Sequence, residues 1–381
     1  MTSRWDRATA EREAPLAVVD LDSFDANAAD LVRRAAGLPI RVASKSVRCR
    51  ALLGRVLSQP GFHGVMAYAA AEASWLVASG VDDVFVAYPS ADRSALAAVA
   101  ADERAAAQVT VTIDSLDHVD LLAGLARPHG LRVAVDVDAS LRVGRLHLGV
   151  RRSPLRRPSE VLDVVRAASA AGLSVVGLMF YDAQIAGLPD SSPAVRLVKR
   201  RSAQSLLERR AVVVSAVRQV ADLEFVNGGG TGSLHVTGRD PVVTELAAGS
   251  GLYGPTLFDG YDDFSPQPAA AFALPVVRRP ARGFATAFGG GYIASGPPGW
   301  SRVPRPFGRD GVRLVRAEGA GEVQTPLQGK GTRDLRLGDR VWFRYAKAGE
   351  MCERFDHLHL VSGDELVETV PTYRGEGKNF G

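Results

Sequence analysis

Cysteine is nearly absent: 381 residues hold two, Cys49 and Cys352. Two such thiols offer no disulfide framework and suit a reducing compartment, so a cytoplasmic protein is expected. Charge of one sign is also scarce, with a formal net charge of +4 and 23% charged residues. Without a long Lys/Arg tract or aromatic-basic interleaving, nucleic acid is not an expected partner. The opening MTSRWDRATAEREAP is charged and lacks an apolar segment, which argues against a signal peptide or membrane anchor. Its first dozen residues are expected to be mobile. Lysine is the most telling scarcity. Five of the 46 basic residues are lysine, and Lys45, in RVASKSVRCR, is the one lysine before residue 199. Arginine keeps its proton in a protein, whereas lysine can lose it and form a Schiff base with a carbonyl compound.

What is present reads as an ordinary globular chain, 46% hydrophobic. Its length implies about two domains, or one barrel with an appendage. Short β-branched runs ending in polar or glycine signals recur: IRVAS (40–44), GVMAYA (64–69), VFVAY (84–88), VTVTI (109–113), RVAVDV (132–137), VVGLMF (175–180), LEFVN (223–227) and TELAA (244–248). Helical stretches such as SFDANAADLVRRAAG, AAEASWLVASG and PSEVLDVVRAASAAG fill most intervals, several closing on glycine. Eight alternating units predict an α/β fold, a (β/α)8 TIM-type barrel of parallel strands. From about Ala270 onward, proline- and glycine-punctuated alternating runs such as FALPVVRRP and RVWFRY predict a C-terminal all-β domain. Arg151, Arg152, Arg156 and Arg157 crowd a segment around Pro154 and Pro158 and read as a solvated loop.

Chemistry in such a barrel sits at the C-terminal ends of the strands. Lys45 follows the first predicted strand, Tyr68 ends the second, and Asp114 and Ser115 follow the fourth. Arg142 comes shortly after the fifth, Tyr181 and Gln184 follow the sixth, and the seventh runs into Asn227, Gly228, Gly229, Gly230 and Thr231. The eighth ends at Gly249 and Ser250. Glycine clusters after strands seven and eight can present backbone N–H groups to a phosphate, and Thr231 and Ser233 can open a short helix that favours an anion. A phosphate cradle together with a reactive lysine describes a pyridoxal 5'-phosphate site.

These motifs, in this order, resemble the fold type III pyridoxal phosphate enzymes. The likeness runs from PLAVVDLDSFDANAADLVRRA through RVASKS, GLMFYDAQIAG and VNGGGTGS to GGGYIASG, GEVQTPL, AKAGEMCERF and PTYRGEGK. It embraces alanine racemase and, more closely, the D-threonine aldolase and D-serine dehydratase group. The resemblance implies that Lys45 is the Schiff-base lysine and proton shuttle, and that Gly229, Gly230, Thr231, Gly249 and Ser250 cradle the phosphate. Arg142 is similar to the arginine reaching the cofactor's phenolic oxygen, and Tyr181 to the ring-side tyrosine; Asn227 and Gln184 are its neighbours. It also implies a homodimer, with Tyr345, Lys347 and Glu350 as candidates to reach into the neighbouring site. The first strand, LAVVDL, is implied to join the β-domain, dividing the chain into residues 1–25, 26–265 and 266–381.

Departures from the pattern bear on the reaction. Strand eight of the family carries Arg-Pro-Gly, where this chain has Ala247, Ala248 and Gly249. Glu245 shares the inward face of that strand with Ala247 and could pair with a protonated ring nitrogen, strengthening the electron sink. Near the C-terminus the aldolase group holds a divalent ion with a His-x-Cys or His-x-Asp pair, and this chain offers Glu350 and Cys352 for zinc or manganese. His357 and His359 alternate on FDHLHLV, a possible metal spacing, and are read as two histidines on an exposed strand face. The reading is a lyase acting on a β-hydroxy α-amino acid, most readily of D configuration, by retro-aldol cleavage or dehydration. Glu350, or a metal it binds, would then deal with the substrate hydroxyl. A racemase or epimerase is the first alternative, and a non-catalytic pyridoxal phosphate carrier the second.

Overall fold

A computed structural model describes residues 2–125, 130–347 and 349–381. Among these the chain divides into two compact units, one of which comprises Leu31–Ser44, Leu57–Gly249 and Phe380–Gly381. In chain order the first strands are Leu16–Asp20 (β1), Ile40–Ala43 (β2), Phe62–Ala67 (β3), Val84–Val86 (β4), Val109–Ile113 (β5) and Arg132–Asp136 (β6). A two-stranded hairpin, Leu141–Val143 (β7) with Leu146–Leu148 (β8), precedes Ser174–Phe180 (β9), Phe225–Gly228 (β10) and Glu245–Ala248 (β11).

All strands from β2 to β11 except that hairpin close into one parallel barrel, ordered β10-β11-β2-β3-β4-β5-β6-β9. They are the eight runs expected from the sequence. Every residue of β2, β4 and β5 is buried, as befits parallel strands covered on both faces. Phe85, Ala87, Ala134, Val176, Met179 and Phe225 fill the barrel interior. Gly177 is required there, because any Cβ at that position would run into the Phe225 ring. The expected helices are present as Leu21–Arg34, Ala70–Ala78 and Pro158–Ala170. Gly80 (φ +93°) and Gly172 (φ +80°) follow the last two in the left-handed region that glycine enters freely.

The second unit is built on a nine-stranded sheet of β1 with Ala270–Arg278 (β12), Phe284–Phe288 (β13), Arg305–Phe307 (β14), Arg313–Leu314 (β15), Gln324–Gln328 (β16), Arg340–Arg344 (β17), His357–Ser362 (β18) and Glu365–Pro371 (β19). β1 lies between β12, to which it is antiparallel, and β18, to which it is parallel. The opening residues differ from expectation: Thr2–Ala8 form a helix, and Trp5 is fully buried against Leu16, Val18 and Trp342. Its indole Nε1 donates to Asp20 Oδ2 at 3.0 Å, and burial of that ring outweighs the polar composition around it. Among the described residues, no helix is long and apolar enough to cross a membrane.

Candidate active site

Lys45 stands two residues beyond the end of β2, within the single 3-10 turn Ser44–Ser46, and is partly buried. The segment after it is fixed by its own unit. The carbonyl of Val47 accepts Tyr253 Oη at 2.8 Å and Cys352 Sγ at 3.4 Å, and Arg48 pairs with Glu353. Gly349 packs so closely that a Cβ there would lie 2.9 Å from the Lys45 carbonyl oxygen and 2.7 Å from the Ser46 carbonyl carbon. The turn carrying Lys45 and the 3-10 turn Glu350–Glu353 are therefore in contact; Ala348, within the AKAGEMC motif, lies outside the described residues.

On the barrel, Gly229 adopts φ +79°, turning the chain sharply after β10. Gly230 is pressed to the end of β9: its Cβ would fall 2.9 Å from Ala186 Cβ and 3.7 Å from Tyr181 Cε2. Asp182, completely buried, accepts Ser233 Oγ at 2.9 Å and Thr237 Oγ1 at 2.6 Å, and so fastens this glycine turn and the short helix Leu234–Thr237 to the strand that ends in Tyr181. Burial raises the Asp182 carboxyl pKa, an effect opposed by Arg210 and the two hydroxyls. The Thr231 carbonyl accepts Arg34 Nη1 at 2.7 Å. Gln184 is buried, and its amide donates to the Ala139 carbonyl at 2.7 Å. Gly249 and Ser250 directly follow β11, where Ser250 opens the short helix Ser250–Tyr253.

Two of the expected residues hold contacts that the sequence did not foretell. Arg142 is exposed on the β7 strand of the hairpin and donates to Asp138 Oδ2 at 2.8 Å. Glu245 is the first residue of β11, at the opposite end of that strand from Gly249. Its carboxylate accepts Arg41 Nε and Nη2, both at 2.8 Å, as well as Asn227 Nδ2 at 2.8 Å. Arg41 also binds Asp83, which precedes β4, so this network belongs to the N-terminal floor of the barrel. The inward parity of Glu245 was readable; its depth was not, because alternation alone does not say which layer a residue occupies.

Tyr345, Lys347 and Glu350 line a single cavity of about 250 Å³ together with Tyr292, Ser295 and Arg354. Glu350 accepts the Ser295 N–H at 3.1 Å. Cys352 is buried on the other side of its turn, and burial drives its thiol pKa far up. Among the described residues no three His, Cys, Asp or Glu side chains converge for a metal ion. A thiol held as a donor to a carbonyl and a carboxylate turned into a separate cavity do not fit a metal centre, and His359 is spent on Thr369 Oγ1 at 2.9 Å.

Several polar groups at the C-terminal ends of the barrel strands escaped the sequence reading. Asp136, the last residue of β6, is 5% exposed, and its carboxyl pKa is pushed up to about 7 by burial and by Asp114, against the pull of Arg152. Arg152 belongs to the arginine-crowded loop read as merely solvated. Its guanidinium lies 4.8 Å from the Tyr181 ring centroid and 5.5 Å from that of Tyr88. A stacked arginine leaves no periodic signal in a sequence. The parity of VAVDVD could have flagged Asp136, since it shares a face with Ala134 inside the barrel.

Residues 19–256 match the sequence profile of the alanine racemase N-terminal domain. Over 97% of its length the chain is 22% identical to a 3-hydroxy-D-aspartate aldolase of Paracoccus denitrificans (strain Pd 1222), covering 94% of that protein. Among solved structures, D-threonine aldolase from Filomicrobium marinum superposes with a TM-score of 0.79 at 23% identity, covering 95% of this chain and 96% of that one. D-threo-3-hydroxyaspartate dehydratase from Delftia sp. HT23 gives 0.74 at 21% identity, covering 94% and 97%. The closed barrel, the appended sheet and a profile match over more than half of its length make the chain a member of the alanine racemase N-terminal domain family.

Proposed function

We propose that the protein is a pyridoxal 5'-phosphate-dependent lyase that cleaves or dehydrates a β-hydroxy α-amino acid of D configuration. The observation that carries this reading is the set of groups terminating the strands of one barrel: Lys45 after β2, Tyr181 after β9, a glycine turn pressed against Tyr181 after β10, and Gly249–Ser250 after β11. The cofactor suits these residues, because glycine-containing turns end the adjacent strands β10 and β11, and the first, carrying Thr231, is fastened by Asp182, so backbone N–H and hydroxyl donors are available for a phosphate. When bound, the cofactor supplies an electron sink for the pair of electrons left at the substrate's α-carbon.

The residues divide the remaining work. Lys45 would hold the cofactor through Nζ and would move a proton at the substrate's α-carbon. Gly229, Gly230, Thr231, Gly249 and Ser250 bind the phosphate through backbone and hydroxyl donors. Tyr181 flanks the ring, Arg142 is assigned to its phenolic oxygen, and Gln184, Asn227 and Glu245 support the surrounding barrel wall. Glu350 is assigned to the substrate hydroxyl proton. No step is assigned to a metal, since the side chains of Glu350 and Cys352 diverge. Ala247 in place of the racemases' arginine favours a lyase over a racemase. The all-β unit favours an enzyme over a single-barrel carrier. The segments 1–25, 26–265 and 266–381, a homodimeric assembly and a cytoplasmic location belong to the same proposal.

The test is direct. Protein loaded with cofactor is reduced with borohydride and digested, and the added mass is expected on the peptide containing Lys45; attachment at any other lysine refutes the reading. In parallel, D- and L-threonine, serine and 3-hydroxyaspartate are assayed separately for aldehyde, oxo acid and enantiomer. Aldehyde or oxo acid from the D forms is expected, whereas enantiomer alone would mean a racemase.

A further inference from the structure

The Tyr88, Asp136, Arg152 and Tyr181 group lies at the C-terminal ends of β4, β6 and β9, and none of it is used in the scheme above except Tyr181. Arg152 is the unusual member. It is exposed, yet its guanidinium is laid across two tyrosine rings, and among the described residues it makes no hydrogen bond or ion pair. Stacking engages the faces of a guanidinium and leaves its in-plane N–H fork available, the arrangement suited to bidentate capture of a carboxylate.

The neighbouring carboxylates do not answer that need. Asp138 is already bound by Arg142 at 2.8 Å, Arg156 at 2.9 Å and Ser140. Asp114 is paired with His118 Nδ1 at 3.0 Å. Asp136 retains its proton up to about pH 7, and among the described residues no side-chain donor reaches its carboxyl. Its one hydrogen-bonding neighbour is the Val137 N–H, which also serves the Met179 carbonyl at 2.9 Å. The Tyr181 hydroxyl, kept neutral by burial that raises its pKa to about 12, makes no hydrogen bond among the described residues. Arg152, stacked on the Tyr181 ring and felt by the Asp136 carboxyl, is thus the cation of this group with its N–H fork uncommitted, and it favours an anionic oxygen pair.

Resting on the lyase reading, we infer that Arg152 is a specificity-determining residue that binds a second carboxylate, so that the substrate class is a dicarboxylic β-hydroxy α-amino acid rather than a neutral one such as threonine or serine.

Two measurements test this. The first compares kcat/KM for D-3-hydroxyaspartate and D-threonine in the parent, Arg152→Gln and Arg152→Lys holoenzymes. The ratio between the substrates is expected to favour the dicarboxylate in the parent, to fall about 10- to 100-fold in the Gln variant, as loss of a charge-assisted contact implies, and to recover partly in the Lys variant. An unchanged ratio, or an equal loss on both substrates accompanied by a shifted cofactor absorbance, would overturn the assignment. The second is calorimetric titration of the holoprotein with D-malate and, separately, D-lactate, which needs no turnover. D-malate bound more tightly by the parent and no better than D-lactate by Arg152→Gln supports the site even if no lyase substrate is found. D-malate bound equally by both proteins, or by neither, sinks it.

Discussion

Asp136 makes the sharpest prediction at the residue scale. Its folded-state pKa of about 7 lies above the ordinary carboxyl value of 3.8, so the folded protein holds a proton that the unfolded chain gives up. The stability this contributes is complete below about pH 4 and is lost as pH rises through about 7. Burial sets it first, Asp114 and Asp138 raise it further, and Arg152 lowers it. Urea melts of the parent should therefore show lower stability at pH 8.5 than at pH 5, and Asp136→Asn should show a smaller difference; identical pH profiles would contradict the assignment. Trp5 supplies a second test. Truncating a fully buried indole in the core of the second unit, Trp5→Ala, should cost about 3–5 kcal/mol in a denaturant titration. Sequence composition hid Trp5, since the surrounding arginines and glutamates outweigh one ring in any window average. Lys45 was legible for the opposite reason: its rarity made it stand out without any structural context.

Elements, rather than residues, explain how much of the barrel could be read in advance. Buried parallel strands are continuous β-branched runs, and β2, β5 and β9 declare themselves as IRVA, VTVTI and SVVGLMF. The hairpin β7–β8 has six residues and an exposed face, which left nothing periodic to detect and made the position of Arg142 hard to foresee. Two predictions belong here. At the floor, Glu245→Gln leaves the buried Arg41 guanidinium short of a counter-charge and should destabilise the barrel by about 3–5 kcal/mol, measured as a lowered urea midpoint. Absorbance of the bound cofactor should stay at the parental wavelength, since the Glu245 carboxylate is occupied by Arg41 and Asn227. Within the second unit, Gly349→Ala drives a Cβ into the backbone of Lys45 and Ser46. Cofactor affinity, followed by absorbance during titration of apoprotein, should weaken at least about tenfold, the equivalent of about 1.4 kcal/mol of strain.

At the scale of the molecule, family membership accounts for the barrel and the sheet but leaves the chemistry to a few positions, as a fold shared by several activities must. The proposal puts the choice of reaction and substrate at Ala247, Glu350 and Arg152. The proposed homodimer is checked by sedimentation equilibrium of the holoprotein, for which a single species of twice the 40.4 kDa chain mass is expected. One further consequence concerns synthesis. β1 is entirely buried and pairs with β18 through Val18 and His359, positions 341 residues apart (359 minus 18). On a ribosome extending the chain at about 5–20 residues per second, LAVVD emerges many seconds before its parallel neighbour exists. Both edges of that apolar strand stay open until β12 is made and one stays open until β18 follows, so newly made chains should depend on a holding chaperone until the last strands are translated.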